Sequence, residues 1–390
     1  MKKIVVAIDA SSIVNTGGLT HLYELLNNFN KQEHPEIKKI IVISSEKVLK
    51  NLPNKNIFIK KTSFFLNSNK IFRIIYQTYL MDFYLKKRAD VLLSITGDFI
   101  GKFKPVVGMS QNMLLYERIF WKEIKSFREK LKLQINFIRQ KKCFLNSSGI
   151  IFISKYARDY ISEQLPVKRI PNIIIHHGIS KRFINRKNLN CKYGNYTITK
   201  PFKFIYVSTV HVYKNQVNII KAITKLRKHG FPVTLTLLGP IIYPPYGKKM
   251  ILEINKSDPE KEFIKYIDEV PYKDIQKFYS AHDGIIFAST CENMPNILIE
   301  SMASGLPIAC SKKMPMPEFL EDGGVYFNAN STKSIEKALI YLINNLPLLE
   351  KRKNNLRKLK ALSWQITSKK TFRFISNIKT IILCLMEVYY

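Results

Sequence analysis

The stretch CENMPNILIESMASGLPIACS, residues 291–311, decides the local fold of its part of the chain. The apolar run DGIIFAS at 283–289 comes before it and predicts a buried strand. After a polar turn, NILIESMAS predicts a helix over about 296–304, and Gly305 is a typical helix stop. The run LPIACS at 306–311 predicts the next strand. This order of strand, loop, helix and strand is typical of a parallel α/β sheet.

Two glutamates bracket the turn and the first half of this helix. Glu292 lies in the loop and Glu300 about two helical turns further, so we expect both to face the same side. Carboxylates accept hydrogen bonds from the paired hydroxyls of a ribose or hexose. The backbone N–H groups of Asn293 and Met294 lie at the helix N-terminus, where an anion is favoured. The alternative is a pair of solvated glutamates, but their place between a buried strand and an apolar helix favours a ligand site.

Similar strand and helix patterns recur along the whole chain. In the first half, six near-continuous apolar runs predict buried parallel strands, at 3–9, 39–45, 91–95, 106–110, 149–154 and 172–178. Helical spacing occurs at 19–29 and 69–87. In the second half, further strands are predicted at 202–209, 233–239, 263–270, 283–289 and 306–311. A helix over 215–230 follows the first of these strands.

The stretch between the two halves is polar and lacks periodicity, and we place a linker there, at 181–201. The predicted fold class is α/β, with two doubly wound Rossmann-like domains that face a cleft. The predicted domains are 1–180 and 202–365. A helical segment, 366–390, is expected to pack back toward the first domain.

Two further loops have the chemistry for a ligand that bears phosphates. Gly17 and Gly18 follow the first strand and precede a helix, where paired glycines let backbone N–H groups approach an anion closely. Lys214 follows the first strand of the second half and could neutralise a diphosphate. Taken alone, the glycines are also consistent with an ordinary turn, and the lysine with one more surface charge.

The composition is that of a globular protein with an extreme positive charge. The 390 residues are 46% apolar and carry a net charge of +34, which points to nucleic acid, an anionic membrane surface or phosphate-bearing substrates as partners. General enrichment in lysine is the alternative explanation. Five scattered cysteines without a CxxC pattern indicate a reducing compartment and argue against structural zinc. Asp9 comes too early for a signal peptide, and no apolar run reaches the ~18 residues of a spanning helix.

These motifs together closely resemble retaining glycosyltransferases of family 4, which have the GT-B fold of two Rossmann-like domains. The resemblance covers most of the chain, including the glycine loop, the Lys214 loop, 271–311, PMPEFLEDGGVYFN at 315–328 and the region of Trp364. It implies that the domain at 1–180 binds the acceptor and the domain at 202–365 binds the nucleotide sugar. It also implies that Glu292 is catalytic and contacts the donor sugar. It also implies a set of donor-binding residues: Gly17, Gly18, Lys214, Asn293, Met294, Asn296 and Glu300.

Two departures from the family pattern concern residues near the phosphates and the sugar. Many members carry Gly-Arg ahead of the lysine, where this chain has Ser208 and Thr209. Many also carry a histidine after the strand that corresponds to 106–110, where this chain has Gln111 and Asn112. Neither amide can act as a base, so a catalytic role of a histidine there is in doubt.

The resemblance predicts transfer of a hexose from a nucleotide sugar, with GDP-mannose as first candidate, to a lipid-linked or oligosaccharide acceptor. The expected pathway is bacterial O-antigen or capsule synthesis, at the inner face of the cell membrane. No cofactor is expected, and no metal, because no plausible loop carries a DxD motif. A GT-B epimerase or phosphorylase is the alternative. A nucleic-acid-binding protein is a minor alternative, since no RRM, KH or zinc pattern occurs.

The segment ERIFWKEIKSFREKLKLQINFIRQKK, 117–142, carries nine Lys or Arg residues against three Glu. Its apolar residues recur at helical spacing, and Phe120 and Trp121 adjoin the basic residues. We predict an interfacial helix that binds an anionic membrane surface. The alternative is a domain helix whose apolar side packs on the sheet.

Overall fold

The computed structural model describes residues 3–14, 16–184, 196–345 and 349–388. The chain forms two compact units, each with its own parallel sheet. The first comprises Met1–Tyr116, Ser126–Gly178 and Leu362–Tyr390, and the second comprises Glu117–Lys125 and Ile179–Ala361. Residues 185–195 of the predicted linker lie outside the described residues, and the domain boundaries predicted from the sequence stay predictions.

The first unit is a seven-stranded parallel sheet with the strand order β3-β2-β1-β4-β5-β6-β7. Its strands are β1 (Ile4–Asp9), β2 (Ile37–Ile43), β3 (Phe58–Lys61), β4 (Val91–Ser94), β5 (Val106–Ser110), β6 (Gly149–Phe152) and β7 (Asn172–Ile174). Strands β4, β5 and β6 are buried at every residue, which explains their unbroken apolar sequences.

Helices connect the strands of the first unit. They are α1 (Thr16–Asn27), α2 (Glu46–Leu49), α3 (Phe64–Asn67), α4 (Lys70–Ile75), α5 (Met81–Leu85), α6 (Phe127–Leu145) and α7 (Lys155–Gln164). A π-helical turn, Tyr76–Leu80, joins α4 to α5. The long C-terminal helix (Trp364–Val388, α15 below) packs on α1, where the Ser368 hydroxyl donates to the Leu25 carbonyl at 2.9 Å. None of the described helices is both long and apolar enough to cross a membrane.

The second unit is a six-stranded parallel sheet with the order β10-β9-β8-β11-β12-β13. Its strands are β8 (Phe202–Val207), β9 (Val233–Leu238), β10 (Ile264–Ile267), β11 (Gly284–Phe287), β12 (Ile308–Ser311) and β13 (Val325–Phe327). Its helices are α8 (Gln216–Lys228), α9 (Pro244–Ser257), α10 (Ile275–Ser280), α11 (Asn296–Ser304), α12 (Met316–Leu320), α13 (Thr332–Asn344) and α14 (Leu349–Lys358), and α15 (Trp364–Val388) follows in the first unit.

The predicted α/β class with two doubly wound sheets is confirmed, and each of the eleven predicted strands coincides with an observed one. The sequence did not reveal β3 and β13. Both are short strands at the edge of a sheet, and most of their residues are only partly buried. An edge strand lacks the continuous apolar sequence that two-sided burial imposes on a central strand.

The prediction of one continuous basic helix over 117–142 is wrong. Arg118–Lys122 is a 3-10 helix of the second unit, and α6 of the first unit starts only after Ser126, whose hydroxyl accepts from the Glu129 N–H. Phe120 is 8% exposed, so it cannot insert into a membrane as predicted. The helical spacing predicted a helix correctly over 127–142. The N-cap at Ser126 starts this helix and separates it from residues 117–125.

The strand order of the second sheet reverses direction between β8 and β11. The chain moves outward from β8 through β9 to β10, and then returns to the other side of β8 to form β11. The loops that follow β8 and β11 therefore leave the sheet side by side in opposite directions. Ligands of doubly wound sheets bind at such a switch point.

Asn215 ties these two loops together. It is 8% exposed and adopts a left-handed conformation, with φ 58°, just before α8. Its side-chain amide donates to the Ala288 carbonyl at 3.0 Å and to the Thr290 hydroxyl at 3.2 Å, both in the loop after β11. Asparagine suits this position because it tolerates the left-handed region and supplies the donors.

We predict that Asn215→Ala destabilises the protein by about 2–3 kcal/mol, because it strains the left-handed backbone and leaves buried acceptors unpaired. Asn215→Gly removes the strain but not the loss of hydrogen bonds, so about 1 kcal/mol is expected. Urea unfolding measures both, with exposed Asn255→Ala as the control. Equal losses for alanine and glycine would show that the backbone conformation is not a factor.

Candidate functional site

The centre of the site is an ion pair between the two loops at the switch point. Lys214 ends a 3-10 turn, Val212–Lys214, after β8, and its ammonium donates to Oε1 of Glu292 in the loop after β11. Lys214 is 6% exposed, and the Glu292 side chain is 17% exposed. The two residues are 78 positions apart in the sequence, and the sequence analysis assigned both to the same donor. The structure places them in direct contact.

Several contacts fix the Lys214 side chain and the backbone of its loop. Its carbonyl accepts from the buried Tyr206 hydroxyl at 3.0 Å, and its ammonium lies 5.2 Å from the centre of the Tyr213 ring. The Thr290 N–H donates to the Tyr213 carbonyl at 2.8 Å, which joins the two loops a second time. A buried ammonium needs such compensation, and an anionic ligand could replace the carboxylate as its partner.

Glu300 lies in α11 and is 7% exposed. Burial raises its pKa to about 7, although a hydrogen bond from Tyr272 and the positive charge of Arg182 oppose the rise. The Tyr272 hydroxyl donates to Glu300 Oε1 at 2.5 Å. A carboxyl group with this pKa changes its charge near neutral pH.

The sequence analysis missed Tyr272 and Arg182. Tyr272 begins a 3-10 turn after β10, and the Arg182 guanidinium lies 4.9 Å from the centre of its ring. An aromatic residue that follows Pro271 beyond a strand end was a weak signal for Tyr272. No signal marked Arg182, because it lies in the segment predicted as a linker.

The turn before α11 contains the other predicted donor-binding residues of the second unit. Asn293 and Met294 are both 5% exposed and immediately precede the helix, which starts at the exposed Asn296. Gly305 ends the helix in a left-handed conformation, with φ 73°, so the predicted helix over 296–304 and its glycine stop are confirmed. The roles of the three residues in donor binding stay predictions.

Gly17 and Gly18 lie in the first turn of α1, in the first unit. A Cβ atom added at Gly17 would meet no atom within 4 Å, so packing within the chain does not require a glycine there. Approach of a ligand to the backbone remains a reason for a glycine at this place.

A buried polar network holds the start of this glycine loop. Asp9, the last residue of β1, accepts from the Ser11 hydroxyl at 2.6 Å and from the Gln77 amide at 2.7 Å. Burial and the nearby charge of Asp98 raise the pKa of Asp9 to about 6. Arg139 of α6 bonds Gln77 and pairs with Asp98 at 3.0 Å. Arg139 therefore serves the interior and not the basic outer face predicted for 117–142.

Gln111 and Asn112, which stand where many relatives have histidine, have different roles. The Gln111 amide nitrogen donates to the Ile95 carbonyl at 2.8 Å and lies 2.7 Å from Nδ1 of His21. Burial and neighbouring His177 hold the pKa of His21 well below its usual range, so His21 is neutral and its Nδ1 can accept. The Asn112 side chain accepts from the Leu114 N–H at 3.0 Å and caps a 3-10 turn.

The loop that lacks the Gly-Arg pair is closed by its own contacts. The Ser208 hydroxyl donates to the Thr209 carbonyl at 2.9 Å. Gly239 follows β9 with φ 140°, and a Cβ atom there would lie 2.3 Å from the Ser208 carbonyl oxygen. Only glycine allows this close approach. Within the described ranges, no group of three or more His, Cys, Asp or Glu side chains could hold a metal ion.

Comparison with known proteins identifies the second unit. Residues 195–359 match the family model Glycosyl transferases group 1. The chain is 22% identical over 224 residues to O-antigen chain mannosyltransferase B of Escherichia coli, covering 55% of this chain and 57% of that protein. It is 24% identical over 230 residues to O-antigen chain mannosyltransferase RfbU of Salmonella typhimurium, covering 59% and 58%. The chain thus spans somewhat over half the length of these curated relatives.

Solved structures share the fold along nearly the whole chain. A glycosyltransferase from Rickettsia africae superposes with a TM-score of 0.69 at 15% identity, covering 97% of this chain and 99% of its own. HepE of Anabaena, crystallised with UDP and glucose, has a TM-score of 0.67 at 13% identity, covering 96% and 100%. The predicted GT-B fold is therefore confirmed. Residues 195–359 match a Glycosyl transferases group 1 domain, and this match supports the predicted glycosyltransferase.

Proposed function

We propose that the chain is a retaining glycosyltransferase that moves a hexose from a nucleotide sugar to a lipid-linked glycan in bacterial O-antigen or capsule synthesis. The observation that carries this proposal is the buried pair of Lys214 and Glu292 at the switch point, with Glu300 in the following helix. GDP-mannose is the first candidate donor, supported by the similarity to two O-antigen mannosyltransferases.

In this proposal the donor lies across the loops after β8 and β11. Lys214 binds the diphosphate, and Glu292, released from Lys214, accepts hydroxyls of the donor sugar. The backbone N–H groups of Asn293 and Met294 face the sugar or phosphate. Glu300 accepts the ribose hydroxyls, with Asn296 nearby at the start of the same helix. Gly17 and Gly18 are proposed donor-binding residues of the first unit, because glycine lets a ligand approach the backbone closely.

The chemical step requires stabilisation of the leaving group more than a strong base. The bond between the anomeric carbon and the diphosphate oxygen breaks, and the acceptor hydroxyl forms the new bond on the same face of the sugar. The proton of that hydroxyl passes to the departing diphosphate. Lys214 and the amides before α11 stabilise the charge that develops on the diphosphate. Gln111 has no basic atom, and its place beside His21 suits a positioning role.

The proposed location is cytoplasmic, at the inner face of the cell membrane, where a lipid-linked acceptor would be presented. The net charge of +34 supports contact with anionic lipids, since a polycation is attracted to that surface.

A calorimetric panel of GDP-, UDP- and dTDP-sugars tests the donor class. We expect heat of binding with one nucleotide family, and with GDP-mannose first, because the pair at the switch point offers an ammonium and a carboxylate to one diphospho-sugar. If none of the nucleotide sugars gave a heat of binding, the proposed function would be refuted.

The two glutamates should differ in their kinetic effects. Glu292→Gln should lower kcat by about 100-fold with a small change in donor affinity, because it faces the transferred sugar. Glu300→Gln should weaken donor binding by about tenfold, because it loses a charged acceptor for the ribose. Steady-state kinetics and calorimetry measure both, with the exposed Glu260→Gln as a matched control. Wild-type turnover and affinity in both variants would refute the site.

Donor binding should strengthen as the pH rises through 7. The pKa of Glu300 is about 7 in the unliganded protein, and ribose hydroxyls donate best to the ionised form. Its ionised fraction falls from about nine-tenths at pH 8 to about one-tenth at pH 6, so affinity should fall by up to about tenfold. The phosphodiester groups of a nucleotide sugar stay ionised over this range.

Variants separate Glu300 from other titrating groups. Glu300→Gln should remove the pH dependence. Tyr272→Phe should move its midpoint to higher pH, because the lost hydrogen bond stabilises the ionised carboxylate. Calorimetry at pH 6, 7 and 8 measures the donor affinity. If Glu300→Gln kept the pH dependence of the wild type, a group other than Glu300 would be responsible for it.

A further inference from the structure

The outer surface of the first unit carries a row of exposed apolar residues along α6. Phe127, Leu131, Ile135 and Ile138 are 79%, 49%, 39% and 53% exposed. They follow one another at helical spacing, and Lys142 continues the row one turn further. Cationic residues flank the row, since α6 also carries Arg128, Lys130, Lys132 and Lys141 and a single acidic residue, Glu129, while its remaining cation, Arg139, is buried.

A second exposed row runs along α4, the π-helical turn and α5. Ile71, Ile75, Tyr79 and Phe83 are 69%, 38%, 70% and 83% exposed, and each lies four residues after the one before. Large apolar side chains rarely occur in such contiguous exposed sets on a soluble surface without a binding partner.

The two rows belong to one surface. The Lys70 ammonium at the start of α4 donates to the Asn136 side chain of α6 at 2.9 Å. Both α4 and α6 precede a parallel strand, so they run in the same direction across the face of the sheet. The π-helical turn after α4 and the C-terminal part of α6 both border a cavity of about 650 Å³, to which Tyr79 and Lys142 contribute.

This cavity is lined by three lysines, Lys102, Lys104 and Lys142, and by a single carboxylate, Asp82. Asp82 accepts from the Lys102 N–H at 2.6 Å and the Phe103 N–H at 2.8 Å, so it orders the loop that carries two of the lysines. Val106, the first residue of β5, also lines the cavity. The cavity therefore lies at the amino ends of the strands, away from the carboxyl ends where ligands of doubly wound sheets bind.

We propose that this surface docks the protein on an anionic membrane, with a lipid phosphate in the lysine-lined cavity and the two apolar rows in the headgroup region. The proposal deepens the proposed function and rests on it only for the lipid-linked nature of the acceptor. Charge complementarity favours this occupant, because the cavity and α6 are strongly cationic while the residues between the cations are large and apolar. The docking surface thus consists of α4, the π-helical turn, α5, α6 and residues 102–104.

Vesicle sedimentation tests the lysines. The full-length protein should sediment with phosphatidylcholine vesicles that contain phosphatidylglycerol, and not with phosphatidylcholine alone. Each lysine near an anionic surface contributes about fivefold to partitioning, so K102Q/K104Q/K142Q should lower it by about 100-fold. The control, K225Q/K333Q/K337Q, removes the same charge from exposed positions in α8 and α13 of the second unit and should keep most of the binding. Equal losses in both triple variants would reduce the effect to net charge and overturn the docking surface.

A second pair of variants tests the apolar rows. Ile71→Ser with Phe83→Ser should remove the part of vesicle binding that persists at high salt. Both side chains are exposed, and circular dichroism checks that the variant folds. Inorganic phosphate at millimolar concentration should not compete with vesicles. Full competition by phosphate would show a site for a soluble anion instead of a lipid. A change of oligomeric state without loss of vesicle binding would assign the surface to a second copy of the chain.

Calorimetry with nucleotide sugars separates this inference from the proposed function. K102Q/K104Q/K142Q should bind the donor as the wild type does, because its lysines lie outside the donor site. Vesicle binding without donor binding would refute only the proposed transferase activity. Donor binding without vesicle binding would refute only the docking surface.

Discussion

The buried ion pair of Lys214 and Glu292 is the interaction on which the candidate site depends. An ammonium and a carboxylate lose most of their hydration when they are buried, so each needs the other or a ligand of matching charge. The fold supplies this pairing because β8 and β11 are neighbours at the switch point of the sheet. Asn215 and Thr290 then fix the distance between the two loops. In the proposed function, a diphosphate that binds Lys214 would release Glu292 toward the sugar, which would couple donor binding to the availability of the proposed catalytic carboxylate.

Glu292, in the loop before α11, and Glu300, within α11, have different electrostatic surroundings. Glu292 faces a cation, whereas Glu300 is buried beside a phenol, and its pKa rises to about 7. Tyr272 donates to the carboxylate in the absence of a ligand and satisfies an acceptor that would otherwise be buried without a partner. A ribose would have to share or displace that hydroxyl. The Arg182 guanidinium lies 4.9 Å from the centre of the phenol ring, and its positive charge opposes the rise in the pKa of Glu300.

The Lys and Arg residues of the chain have different roles in different parts of the structure. Arg139, which belongs to the basic segment of the sequence, is buried in a network with Asp98 and Gln77 and supports the first sheet. Lys102, Lys104 and Lys142 instead surround a cavity between exposed apolar rows. The same residue types therefore serve the interior in one place and an outer surface in another. Burial and the neighbouring side chains distinguish the two, and neither is visible in the net charge.

The sequence alone determined the α/β class, the central strands and the helix from Asn296 to Ser304 with its glycine stop, because burial on both faces of a sheet and the geometry of helix ends leave local patterns. It also singled out Lys214, Glu292 and Glu300. The helix start at Ser126 also left a local pattern, a serine followed three positions later by Glu129, which was overlooked. Edge strands β3 and β13 and the partners Tyr272 and Arg182 left no comparable pattern. Tertiary structure decided these features, because the order of strands in a sheet, and hence which loops become neighbours, depends on contacts between residues far apart in the chain.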